Sequence, residues 1–205
     1  MNKPEEIRVI EKKCEAELKE KNSRFIGFAF PIENEEGIQS YLKDLKKKYY
    51  DATHNCYAYK TLTLEKYSDA GEPSGTAGIR IFNAIEHFNL TNTLVVVVRY
   101  FGGTKLGIGG LGKAYYETAF KVLEKAEKIN KRLYQKILIK VDFENSNKIY
   151  QVFNDSENKI LKTNYSEKVE FECLIISDNT QKITSQLKDA TNGSININLQ
   201  EMIYF

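Results

Sequence analysis

Residues 95–113 read Val95-Val-Val-Val-Arg99-Tyr-Phe-Gly-Gly-Thr-Lys105-Leu-Gly-Ile-Gly-Gly-Leu-Gly-Lys113, and the fold reading is anchored on this stretch. Four consecutive valines are β-branched, favour the pleated conformation and are apolar on both sides, as a strand covered on both faces must be. Helical spacing follows, with Leu111, Tyr115, Thr118, Phe120, Val122 and Leu123 among polar residues. Between them lie six glycines and the cations Arg99, Lys105 and Lys113. Glycine lets backbone amides approach a ligand closely, and the free N–H groups and dipole of a helix N-terminus favour an anion. The candidate anion- or nucleic-acid-binding residues are therefore Arg99, Tyr100, Gly102, Gly103, Lys105, Gly109, Gly110 and Lys113. Arg99 and Tyr100 pair a cation with a flat ring on which a base could stack. The alternative is that the glycines serve only close packing and the cations are solvated.

Two nucleotide motifs almost fit. Gly107, Gly109 and Gly112 satisfy G-x-G-x-x-G, but the dinucleotide fingerprint starts directly after its strand, and here Arg99 to Leu106 intervene. Gly107 to Lys113 satisfies the first part of a P-loop, yet Ala114 stands where the magnesium-binding hydroxyl belongs.

The 205 residues are 41% hydrophobic and 12% aromatic, enough for real cores. A net charge of +2 confines any nucleic-acid contact to a local patch. The three cysteines, Cys14, Cys56 and Cys173, are widely spaced, which argues against a disulfide framework and against a Cys-x-x-Cys zinc site. No signal segment opens the chain and no run is long enough to span a bilayer, so a cytoplasmic location without membrane contact is expected, with no metal and no cofactor.

Patterning predicts two α+β domains, 1–132 and 133–205. In the first, Ile7 to Glu20 and Arg24 to Phe30 read as a hairpin about Lys21-Asn22. A helix is expected from Glu35 to Tyr50, a strand region from His54 to Leu64, and a helix near Ala77 to Phe88. In the second, alternation and helical stripes give the order βαββαβ, that of a ferredoxin-like fold.

Asp69, Glu72, Ser74 and Thr76 share one loop whose shape is punctuated by Gly71, Pro73 and Gly75. Together with His54 they form a candidate cleft facing the glycine loop; the competing reading is an Asx-type turn at Asp69 and a helix cap at Ser74 or Thr76. His54 and Cys56, two apart on a strand, face one side of the sheet and could act as base and nucleophile, although cysteine is commonly just a small core residue.

These segments together resemble the YigZ/IMPACT family. The matching residues are Ser23-Arg-Phe-Ile26, His54-Asn-Cys-Tyr-Ala-Tyr59, Asp69-Ala-Gly-Glu-Pro-Ser-Gly-Thr-Ala-Gly78, and Val98-Arg-Tyr-Phe-Gly-Gly-Thr-Lys-Leu-Gly107 with Gly109-Gly-Leu111. The resemblance spans roughly residues 15 to 125. Two positions depart from the family pattern: Ala70, where a second Asp is usual, and Arg80, where Pro is usual. The resemblance implies an N-terminal fold like that of a small-subunit ribosomal protein and of domain IV of elongation factor G. It also implies, from eukaryotic relatives, regulation of translation by competition for a ribosome-associated activator of a stress kinase. The expected function is thus a translation-linked regulator that binds RNA, the ribosome or a ribosome-associated protein through the cationic loop. The alternative is a hydrolase or transferase acting on a phosphorylated or peptide-like substrate at Asp69, Glu72, His54 and Arg99.

Overall fold

A computed structural model describes residues 3–154 and 157–205. The chain divides into two compact units, one of Arg8–Asn130 and one that combines Lys131–Phe205 with the chain up to Ile7. The expectation above ran the first domain from residue 1. Strand pairing accounts for the difference: β1 (Glu6–Ile10) lies beside β7 (Lys128–Val141) in one sheet.

In the unit Arg8–Asn130, β2 (Cys14–Glu20) and β3 (Ser23–Pro31) form the expected hairpin. Its two turn residues, Lys21 and Asn22, have φ of 43° and 66°, the double left-handed geometry that matches the twist of a two-residue hairpin. Then follow α1 (Glu35–Lys48), β4 (His54–Lys60), β5 (Glu65–Ser68), α2 (Gly78–His87), β6 (Thr93–Tyr100) and α3 (Gly107–Lys125). The sheet has the order β2-β3-β6-β4-β5, with antiparallel pairings throughout. The valine strand β6 is central, and its period of two explains why it is apolar throughout. Val95 and Val97 pack with α2 and α3 through Ile81, Ile85, Tyr115 and Ala119. Val96 and Val98 face the other way, toward Ile38 and Leu45 of α1. Gly27 on β3 matters here, because a Cβ would lie 3.0 Å from the Thr118 methyl and 3.1 Å from the Thr118 carbonyl oxygen on α3.

Helix α1 is locally well specified. Asn34 accepts from the Gly37 amide at 2.8 Å, Glu35 and Glu36 occupy the first turn, and Lys46 to Lys48 complement the dipole at the end. Helix α3 is not: it starts at Gly107, four residues before the apolar pattern, so Gly107, Gly109, Gly110 and Gly112 lie within the helix and not in a loop. Glycine is a poor helix former, and here packing overrides propensity. Leu111, Ala114, Tyr115, Ala119 and Val122 bury one face of α3.

The second unit runs β7, α4 (Ser146–Asn154), β8 (Lys159–Tyr165), β9 (Val169–Ile176), α5 (Thr180–Ala190) and β10 (Ile195–Tyr204), the βαββαβ order. β7 pairs with β9 and β10, and β8 pairs with β9, all antiparallel. Ile137, Ile139, Val141, Phe171 and Cys173 pack against Ile149 and Phe153 of α4 and Ile183 and Leu187 of α5. The alternate residues carry charge pairs between neighbouring strands, Lys136–Glu172 at 2.6 Å and Lys140–Glu170 at 2.5 Å.

Candidate functional site

His54 opens β4 directly opposite Arg99 on β6. Residues opposed across antiparallel strands share a face, here the one covered by α2 and α3. The Arg99 guanidinium lies between the rings of Phe25 and Phe101, 5.4 and 5.5 Å from their centroids, and its Nη1 donates to Glu72 Oε1 at 2.6 Å. The pair is buried, with side-chain exposures of 7% for Arg99 and 3% for Glu72. The Tyr115 hydroxyl, from α3, donates to the same carboxylate oxygen at 2.8 Å. Two donors on one oxygen fix the carboxylate and leave Oε2 turned toward His54.

Histidine completes the cluster in a defined tautomer. Its Nδ1 lies 3.0 Å from the Ala70 carbonyl, which can only accept, so Nδ1 carries the proton. Nε2 is then the nitrogen that faces Glu72, 3.8 Å from Oε2. Ala70 reaches this position with φ of 45°, in the left-handed region, followed by Gly71 at 91°.

Cys56 is not a nucleophile. Its thiol donates to the Asp69 carbonyl at 2.9 Å, and its sulfur lies 3.3 Å from Tyr115 Oη. Burial pushes the thiol up to about 12, so it stays protonated at neutral pH, and thiolate chemistry is closed to it. Burial likewise raises the Tyr115 hydroxyl, which acts here as a fixed donor to Glu72.

Asp69 departs from the expected cleft. Its Oδ1 accepts from the Ala77 and Gly78 amides at 2.9 and 2.8 Å, and its Oδ2 from Gly75 at 2.9 Å. Burial works to raise this carboxyl, but the three amide donors outweigh it and hold it below the usual aspartate value. It therefore caps α2 from eight and nine residues away, with both of its oxygens engaged. Thr76 turns back to the Pro73 carbonyl at 2.6 Å, and Ser74 is exposed. Of the five residues expected in the cleft, His54 and Glu72 are together, Asp69 and Thr76 shape the loop, and Ser74 is exposed on it.

The cationic set is also divided. Arg99 is neutralised by Glu72, and Tyr100, the next residue along the strand, packs on the α1 face and donates to Asp51 at 2.8 Å. The two cannot jointly clamp a base. Gly102 is structural: its amide donates to Ser23 Oγ at 3.2 Å, and a Cβ would fall 2.0 Å from the Asn22 carbonyl carbon. Gly103, with φ of 83°, turns the chain toward α3. Lys113 pairs with Glu117 at 3.6 Å, in a groove of about 420 Å³ that it shares with Arg80 and the Gly109–Gly112 side of α3.

What remains is a cleft of about 400 Å³. His54, Glu72 and Arg99 form one side, with Phe101 and Lys105 beside them and Gly107 and Ile108 of α3 opposite. Leu106 at the start of α3 has no side-chain acceptor to offer, and among the described residues no side chain accepts from the leading amides of this helix. Tyr115 is the member of this cluster that sequence periodicity missed, since it counts there only as part of an apolar stripe. A larger cavity of about 590 Å³ lies between α4 and α5. It is lined by Lys148, Lys182 and Glu157, by amide side chains and by apolar residues such as Val152 and Ile183, and among the described residues it holds no buried ion pair like that of the smaller cleft. Among the described residues no three His, Cys, Asp or Glu side chains converge as metal ligands would, and no helix is long and apolar enough to cross a membrane.

Residues 21–123, which contain the whole His54–Glu72–Arg99–Tyr115 cluster, match the Impact N-terminal domain. The chain is 33% identical over 193 residues to the IMPACT family member YvyE of Bacillus subtilis (strain 168), covering 93% of this chain and 89% of that protein. Protein IMPACT-B of Xenopus tropicalis is 36% identical over 98 residues, 44% of this chain and 30% of that protein. A solved structure titled "Crystal structure of an hypothetical protein" has the same fold, with a TM-score of 0.69 at 24% identity and coverage of 97% of this chain and 98% of that one. The domain match holds the residues of the cleft, the Bacillus alignment extends along both units, and the chain therefore belongs to the IMPACT family.

Proposed function

We propose that the unit Arg8–Asn130 binds RNA through its phosphates at the start of α3, and that the protein acts in this way as a regulator linked to translation. The observation that carries the reading is the uncapped N-terminus of α3, built from glycines and opening onto a cleft beside Lys105. Free amides and the helix dipole favour a phosphate there, and Lys105 adds a mobile charge. Arg80 of α2 and Lys113 of α3 line a neighbouring groove and add positive charge beside the cleft. With a net charge of only +2, this local patch is what RNA would meet.

Fluorescence anisotropy with a short single-stranded RNA, titrated at several salt concentrations, tests the proposal. Affinity should fall with a log–log slope of about −0.7 per phosphate neutralised. Lys105→Ala combined with Lys113→Ala should weaken binding and flatten that slope. Affinity independent of salt, or unchanged in the double variant, overturns the reading.

One observation favours a second reading, hydrolysis or transfer on a phosphorylated or peptide-like substrate. His54 is held by Ala70 so that Nε2 faces the cleft beside a fixed carboxylate, the arrangement of an oriented general base. A substrate screen comparing wild type with His54→Asn decides it. Turnover should disappear in the variant, and turnover indifferent to His54 removes this reading.

A further inference from the structure

We infer that the groove between α1 and β4 is a pocket for a nucleobase. It has a volume of about 530 Å³ and an apolar floor of Leu42, Leu45 and Val96. Tyr57 stands at its side, and Tyr50 and Lys46 at its rim. Thr53 and His54 line both this groove and the cleft at α3, so the start of β4 borders the two.

Asn55 carries the argument. It lies on β4 next to His54, and alternation along the strand turns it to the α1 face, toward the groove. Its Oδ1 is buried and has no hydrogen-bond partner, and the carboxamide makes no hydrogen bond to any described residue. A buried acceptor left unpaired is costly, and a strand position opposite Val98 would suit an apolar side chain better. The amide thus has no hydrogen-bond partner among the described residues, and a ligand that reaches it meets an acceptor not already in use. A carboxamide offers a donor and an acceptor side by side in one plane, the pattern that matches the edge of a base. Flat rings supply the remaining need. Tyr50 is 85% exposed and has no ring partner among the described residues, so its face is open to stacking.

The inference rests on the RNA reading above and adds to it: one base leaves the strand at Thr53–His54 and enters the groove, while its phosphate stays at α3. A peptide amide would satisfy Asn55 but has no use for the aromatic rim.

Two measurements separate the pocket from the RNA reading. In the first, adenosine, guanosine, cytidine and uridine, which carry no phosphate, are titrated while the Asn55 side-chain amide resonances are followed by NMR. At least one nucleoside should shift them saturably, and Asn55→Val and Tyr50→Ala should each remove or weaken the response. In the second, a base-bearing RNA hexamer is compared with an abasic one. Asn55→Val should weaken the base-bearing strand roughly tenfold, leaving the abasic strand and the salt slope unchanged. Asn55→Val should also raise the melting temperature, by about 2–4 °C, because an unpaired acceptor is removed; this separates lost binding from lost folding. RNA binding that is equal in wild type and both variants, with no nucleoside shift, overturns the pocket and leaves the RNA reading standing. Nucleoside shifts without RNA binding do the reverse. A shift produced by N-acetylglutamine amide and by no nucleoside identifies a protein occupant and overturns the pocket.

Discussion

The two sheets of this protein handle charge in opposite ways. In the unit Arg8–Asn130, Arg99 and Glu72 meet on the inner side of the central strands with exposures of 7% and 3%. In the second unit the cross-strand pair Lys136 and Glu172 stays at 24% and 33% and faces away from the core, whereas Glu72 reaches Arg99 from a loop. A buried ion pair is weak support for stability, because desolvation offsets most of the attraction, and apolar residues of similar volume often do as well. Its presence in a sheet that otherwise packs valine on both faces is therefore not explained by folding need alone. The sharpest way to break the contrast is Glu72→Ala, which strands the Arg99 guanidinium among Phe25, Phe101 and Tyr115. Urea unfolding followed by circular dichroism should show a loss of about 3–5 kcal/mol in this unit. A loss no larger than that of a surface pair would mean that the site is open to water.

Tyr115→Phe probes the same network more gently. It removes one of two donors to Glu72 Oε1 and leaves the ring edge-on to Phe25, 5.3 Å between centroids. The expected loss is about 1.5–3 kcal/mol, the range for a hydrogen bond to a charged group. A smaller loss would assign the Glu72 position to Arg99 alone.

Asp69→Ala comes next, at about 0.5–2 kcal/mol, the range of a lost helix cap. It also sets a pH dependence. The folded carboxyl is held below its unfolded value, so its contribution is complete above about pH 4 and is lost as pH falls through the lower folded value. Acid should thus weaken the wild type over a window that Asp69→Ala no longer shows. An unchanged acid profile in the variant removes Asp69 as the source.

These residues also show how far sequence reasoning reached. The valine run and the alternation of β7 and β9 fixed where strands lie, because burial on one or two faces leaves a periodic imprint. The hairpin at Lys21-Asn22 was readable from the change of pattern on either side. Asp69 as a cap was only half legible. Its acceptor role follows from its chemistry, but its amide partners, Ala77 and Gly78, lie well beyond the two or three residues over which caps are recognised. Tyr115 was invisible as a site residue, since periodicity registers the ring and not the hydroxyl. Arg99 and Tyr100 were misjoined by adjacency, although a strand sends neighbours to opposite faces. The start of α3 escaped because four glycines argue against a helix that Leu111, Ala114 and Tyr115 nonetheless hold in place.

The smallest effect expected is that of Glu172→Gln. Lys136 bonds this carboxylate at 2.6 Å and holds it below the usual glutamate value, yet both side chains remain in water. The gain from such a pair is screened by salt and offset by ordering two flexible side chains. The urea midpoint should therefore not move beyond error, at low salt or high, and the variant should lose nothing further as acid protonates the carboxylates. Lys136 sits directly opposite Leu174, which is fully buried with Tyr134 and Ile176, so this face is not wholly bare. If Glu172→Gln were instead as costly as Tyr115→Phe, water would have to be excluded from that face in solution. The charged sheet would then be a covered surface like the other, and the contrast between the two units would disappear.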